Sequence, residues 1–334
     1  MNDTLLSFED DSKMVSKKLF HEIILILLGI CSSITIFFSL TVLIILRRHW
    51  RTQCRSIVNL LTCNSCVALI FFVITSSIQI PSLIQHLSED IPPSSILCQI
   101  YAFLSTFGTT VEVYSFFIQA ISRFFMTILY KHKYLLTYRT NWMLIIISWM
   151  MSGIVSVGMF IFPLAYQYEV QSHFCALTTT NLFTALLGNF LIAIIPMMIM
   201  TILYGIILYH TARHTRINPN ATSTLRARRN QSIFKQMLIF VGIFGIGGTC
   251  YFLCTILHYF DRAPWPLYSI ALLFLAFAVT LISITLFLLN NQARNILLAK
   301  LTRCQTDTSK KTKRNQIEAN ALQMRTIQPL PALY

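Results

Sequence analysis

Seven stretches of this chain are apolar for long enough to cross a lipid bilayer: residues 23–46, 57–80, 96–130, 142–164, 182–209, 237–257 and 267–289. A helix needs about 18–20 apolar residues to span the hydrocarbon layer. Lipid supplies no hydrogen-bond partners, so continuous apolar runs of this length are expected to be helices. Composition agrees: 55% of the residues are hydrophobic and 11% are charged, against about 25% charged in a soluble domain. The expected fold is an all-α membrane protein, a seven-transmembrane helix bundle spanning 23–290.

The formal net charge of +14 does not point to nucleic acid. The positive residues sit in short connections and in the tail, as cytoplasmic segments do. The first connection carries Arg47, Arg48, Arg51 and Arg55; the third carries Lys131, Lys133 and Arg139; the fifth carries Arg213, Arg216, Arg226, Arg228, Arg229 and Lys235. The alternate connections carry Glu89, Asp90, Glu169 and the pair Asp261–Arg262. These charges place the amino terminus outside and the carboxyl end in the cytoplasm. Lys17 and Lys18 oppose that orientation but are outnumbered by the four arginines after the first span.

Residues 1–22 are expected to form an extracellular segment without the apolar core of a signal peptide, which leaves targeting to the first membrane helix. The sequon at Asn2 would then be open to glycosylation. Residues 291–304 are expected to form a short amphipathic eighth helix on the inner surface, with Ile296, Leu297 and Leu298 toward lipid. Cys304 closes it beside basic residues, as a palmitoylation site or a free thiol. Residues 305–334 are polar, basic and aperiodic, a disordered cytoplasmic tail.

The third run organises the rest. Cys98 opens it and Arg123 stands 25 residues on, roughly 37 Å along a helix. One residue would therefore lie at each membrane face. An arginine at such a depth marks a working site unless it snorkels to the interface. Cys175 lies in the second outer connection, and these are the two cysteines placed on the oxidising side, so a disulfide between them is favoured over two thiols. Cys63 and Cys66 form a CxxC inside an apolar run and read as packing. His210 and His214, four residues apart among basic residues, read as a solvated helix end.

Over residues 23–304 the chain resembles the rhodopsin-like (class A) G-protein-coupled receptors. That family has a cysteine at the top of the third helix, an arginine 25 residues later and a partner cysteine in the second outer loop, matched by Cys98, Arg123 and Cys175. Trp149 matches the fourth-helix tryptophan, and Pro196 and Tyr204 match the fifth-helix proline and tyrosine. Several motifs differ. The first helix has no asparagine, only Thr35 and Ser39 nearby. LLTCN puts Asn64 where LAxAD has its aspartate. Asp-Arg-Tyr becomes Ser122-Arg123-Phe124, and Asn-Pro-x-x-Tyr becomes Ser283 to Phe287. The sixth-helix Cys-Trp-x-Pro is absent; GIFGIGGTCYFL holds four glycines instead.

The resemblance implies a plasma-membrane receptor that binds an extracellular ligand, a peptide or a chemosensory molecule, and activates a heterotrimeric G protein. Arg123, Tyr204, Ser122 and Phe287 would carry coupling and activation. Ser122 cannot charge-pair with Arg123, which implies signalling without ligand. A ligand pocket would open outward between helices three, five, six and seven, lined by Ser105, Thr106, Thr109 and Thr110 with Tyr251 opposite; small polar residues also serve helix packing. Ser105 stands where amine receptors hold aspartate, and 267–289 has no lysine for a retinal Schiff base. Glu112 lies at the depth where the family's third helix helps bind sodium. Two readings stand for it: a sodium site with Asn64, Thr280 and Ser283 as neutral oxygen ligands, or a protonated carboxyl donating to Asn64. No cofactor beyond that ion is expected, and no catalytic His, Asp or nucleophile cluster suggests an enzyme. The alternative is a transporter or channel, though no inverted repeat is visible and only Glu112 lies deep.

Overall fold

The computed structural model describes residues 2–48, 50, 56–80, 95–163, 165–169, 174–178, 181–217, 221–260, 262, 264, 266–290, 294 and 296, without the side chains of 2–18, 95, 169 and 214–237. Residues up to Phe287 form one compact unit, and a second begins at Leu288. In the second, the Arg294 amide donates to the Asn290 carbonyl at 3.0 Å, a single helical turn. The remainder of the expected eighth helix, Cys304 and the tail lie outside the described residues, as do residues 81–94.

The helices are α1 (Asn2–Arg48), α2 (Ile57–Ser77), α3 (Ser95–Thr127), α4 (Tyr138–Gly158), α5, α6 (Ala221–Tyr259) and α7 (Leu267–Leu289). Helix α5 runs as Leu182–Asn189, a π-helical turn Phe190–Ile194 and Ile195–Ile217. Among the described residues, seven helices are long and apolar enough to cross a membrane. Helix α1 is 47 residues long, about 70 Å, so its first turns extend well past its apolar part, Leu19–Arg48. The backbone at Asn2 is helical; its side chain lies outside the description. Strands β1 (Tyr166–Glu169) and β2 (Phe174–Leu177) pair antiparallel, with Tyr168 opposite Cys175.

Starts of helices are set locally. Ser56 caps α2, its hydroxyl accepting from the Asn59 amide at 3.2 Å. Thr137 caps α4 through the Thr140 amide at 3.3 Å, and Asn181 caps α5 through the Thr184 amide at 3.3 Å. Each side chain satisfies one of the amides that a helix start leaves without a partner.

The packing is inverted relative to a soluble protein. Along α4, Ile146, Ile147, Met150 and Ile154 face outward, while Ser148, Ser152 and Ser156 are buried. Each of these serines donates to a carbonyl of its own helix, Ser152 to Ser148 and Ser156 to Ser152. Between lipid and helix there is no hydrophobic gain to be had, so small residues spaced by four let backbones approach and gain dispersion contacts instead. Helix α3 is the centre: it packs on α2, α4, α5 and both strands.

Helix α5 carries Pro196, which has no amide to donate. The π turn one step before it leaves the Leu191 carbonyl available, and the Tyr114 hydroxyl of α3 donates to it at 3.1 Å. Helix α6 contains no proline and runs unbroken for 39 residues. Of its glycines, Gly247 has a packing reason: a Cβ there would lie 2.9 Å from the Ala278 Cβ of α7.

Candidate functional site

The disulfide end is built on the hairpin. Cys98 and Cys175 are bonded, with Cα atoms 5.2 Å apart. Three further ties hold β1 and β2 over the bundle. The Cys175 amide donates to Gln79 Oε1 at 3.1 Å, and Gln79 Nε2 donates to the Tyr101 carbonyl at 3.4 Å. The Tyr166 hydroxyl donates to the Ser156 carbonyl at 2.7 Å. Burial pushes the Tyr166 hydroxyl above its ordinary range, partly offset by the Thr106 hydroxyl beside it. The Tyr251 hydroxyl of α6 donates to the Leu177 carbonyl at 3.4 Å. Leu177 itself is received by Gly188 of α5, where a Cβ would lie 2.4 Å from the Leu177 Cδ2.

Beneath the hairpin lies a pocket of about 690 Å³, its open mouth included, between α1, α2, α3 and α7, with Phe174 of β2 at its edge. Ser105 and Thr109 are on its wall. Thr106 and Thr110 are buried elsewhere; the Thr110 hydroxyl donates to the Thr106 carbonyl at 2.7 Å. This pocket lies against α1, α2 and α7, whereas the one expected from the sequence lay between helices three, five, six and seven. On the α5–α6 side the roof is fastened by Leu177, seated on Gly188 with its carbonyl accepting from Tyr251.

Midway along the bundle, α2 and α3 meet antiparallel in a regular register. Gln119 donates to Ser65 Oγ at 2.6 Å and to the Leu61 carbonyl at 3.4 Å, and Ser65 and Ser115 hydroxyls are 3.2 Å apart. Farther up, Gly108 abuts Phe72 and Thr75, where a Cβ would lie 2.3 Å from Thr75 Oγ1. In that register the residue opposite Glu112 is Ala68. Both are fully buried, Ala68 at 0% and Glu112 at 1% exposure. Glu112 Oε1 has no hydrogen-bond partner among the described residues.

The three residues expected around Glu112 are turned elsewhere. Asn64 Oδ1 accepts from the Trp149 indole of α4 at 3.1 Å. The Thr280 hydroxyl lies 3.1 Å from that of Thr35 on α1, and Ser283 donates to the Thr280 carbonyl at 2.8 Å. Asn64 Oδ1 is thus engaged by α4, while its Nδ2, like Glu112 Oε1, is buried without a hydrogen-bond partner among the described residues.

At the opposite end of α3, Ser122 Oγ donates to Asn141 Oδ1 at 2.7 Å, and Asn141 Nδ2 donates to the Thr137 carbonyl at 3.0 Å. The serine thus clasps α3 to the start of α4. Arg123 lies close enough to the Tyr204 hydroxyl to act on it electrostatically. Phe287 packs on Phe38 of α1, ring centroids 5.4 Å apart. Between the two ends, Phe116 of α3 meets Phe240 and Phe244 of α6 at 5.3 and 5.2 Å.

Compared with known protein families, the chain matches the 7 transmembrane receptor (rhodopsin family) over residues 39–285. The chain belongs to that family. No curated protein matches it. For a rhodopsin-family receptor the described disulfide, the seven spans and the roof over α3 are ordinary features, and the expectation of a transporter or channel lapses at the level of family. What distinguishes this receptor is its polar contacts. Gln79, Tyr114 and Asn141 were passed over in the sequence, although Gln79 and Tyr114 are polar residues inside apolar stretches and Asn141 immediately precedes one, which is itself a signal of a required bond.

Proposed function

We propose that this receptor sits in the plasma membrane with its amino terminus outside, binds an extracellular ligand in the pocket beneath the hairpin, and activates a heterotrimeric G protein at the opposite end. The observation that carries the reading is the arrangement along α3. The same helix forms the pocket wall with Ser105 and Thr109, carries Glu112 at mid-depth, and holds Ser122 and Arg123 near its far end, where Ser122 is bonded to Asn141. A rigid helix of this kind can couple occupancy at one end to the arrangement at the other. Positive residues in the connections at the Arg123 end support its cytoplasmic placement.

The test is nucleotide exchange. The purified chain in lipid nanodiscs is mixed with heterotrimeric G proteins of each class, and exchange is compared with that of Arg123→Ala. Acceleration by the unaltered chain that Arg123→Ala abolishes is the expected result. Equal rates for both with every G protein would overturn the reading.

A further inference from the structure

Within that receptor reading, we propose that the pocket's ligand is an uncharged, largely apolar small molecule with one hydroxyl or carbonyl head. The evidence is the lining. Of the 16 described residues that form it, none is charged and nine are apolar. The polar seven divide into two groups. Thr35, Thr109 and Gln79 have polar atoms already engaged within the protein: Thr35 with Thr280 and Cys31, Thr109 with the Ser105 carbonyl, Gln79 with Cys175 and Tyr101. Ser32, Ser76, Ser77 and Ser105 show no hydrogen bond from their hydroxyls among the described residues.

Spare hydroxyls both donate and accept, so they can serve one neutral head group in either sense. They cannot compensate a buried ion. A carboxylate or ammonium brought into this lining would lose water and find no opposite charge among the lining residues. The apolar walls contributed by α1, α2 and α7 reward a hydrocarbon body instead. Helix α3 offers Ser105 at the place where a cationic ligand would need an acid, and Glu112, the nearest acid on that helix, is two turns deeper and fully buried.

The test uses three photoreactive probes of matched chain length, a diazirine-bearing alkanol, alkanoate and alkylammonium, with the full chain in nanodiscs of neutral lipid. Labelled peptides are mapped by mass spectrometry, and unlabelled alkanol serves as competitor. The expected result is competed labelling by the alkanol in residues 76–80 or 105–109, at least ~10-fold above either ion, which corresponds to about 1.4 kcal/mol. Ala276→Trp, which fills the pocket, should remove it. Ser77→Leu, which fills less and removes one hydroxyl, serves if the tryptophan variant fails to form the Cys98–Cys175 bond, and should cut labelling. Equal or stronger labelling by an ion, or alkanol labelling that is absent, uncompeted or indifferent to both variants, would overturn the proposal. None of these outcomes depends on G-protein exchange, so failure here is distinguishable from failure of the receptor reading.

Discussion

Glu112 is the residue whose burial most demands a reason. An ionised carboxylate at 1% exposure, facing Ala68 and with Oε1 lacking a partner among the described residues, would carry a desolvation cost that nothing nearby offsets. A neutral carboxylic acid avoids most of that cost, and the small Ala68 leaves it room. We propose on this ground that Glu112 is held as the neutral acid rather than as a sodium ligand; Asn64 Oδ1 is taken by the Trp149 indole. We expect the melting temperature of the purified receptor to be the same in sodium and choline buffers, and Glu112→Gln to change stability by less than ~1 kcal/mol. A sodium-dependent rise that Glu112→Gln removes would defeat this. Ser122 allows a second expectation at the same scale. Its bond to Asn141 fixes α3 to α4 without supplying a charge to Arg123. Ser122→Asp introduces a carboxylate beside the arginine, so ligand-independent nucleotide exchange should fall severalfold; an unchanged rate would show that this position does not control signalling.

Among the elements, α5 and α4 show what the sequence reveals and what it leaves hidden. The seven apolar runs, the disulfide and the central place of α3 were readable because span length and cysteine placement are one-dimensional properties. The π turn at Phe190–Ile194 was not, because nothing local marks a register shift except Pro196 beyond it; the partner, Tyr114, is 77 residues away in sequence. Removing that hydroxyl with Tyr114→Phe leaves the Leu191 carbonyl unsatisfied in a dry interior, and should cost about 1 kcal/mol. A thermal melt indistinguishable from that of the unaltered receptor would mean the turn is set by Pro196 alone. The serine stripe of α4 was legible in principle, at a spacing of four, but its direction was not, since small residues carry no label for which neighbour they meet. Ser152 is fully buried, so Ser152→Leu should overpack the interface and destabilise by about 1–3 kcal/mol, whereas Gly158→Leu, at a position with open space around a Cβ, should not.

At the scale of the whole molecule, the roof over the pocket is fastened at several points. The sequence placed Ser105 and Thr109 on a binding wall with Tyr251 opposite; they line a pocket against α1, α2 and α7, and the hydroxyl of Tyr251 instead donates to the Leu177 carbonyl. Leu177 is seated on Gly188, which fastens the roof to α5 and α6. Two fastenings converge on one residue of the roof. Cys175 is bonded through sulfur to Cys98 and through its amide to Gln79, which in turn holds the Tyr101 carbonyl one turn below Cys98. Loss of either fastening leaves the other to position the same backbone, so their contributions should not add. Gln79→Leu strands a buried amide and should cost about 1–3 kcal/mol. The paired change Cys98→Ser with Cys175→Ser removes a cross-link spanning 77 residues and should cost about 2–5 kcal/mol. In a double-mutant cycle the coupling between them should reach about 0.5–3 kcal/mol, as for groups that share one support. Additive losses, read from melting temperatures of the four receptors, would show that Gln79 and the disulfide hold the hairpin independently, and that the Gln79 wall of the pocket does not depend on the roof.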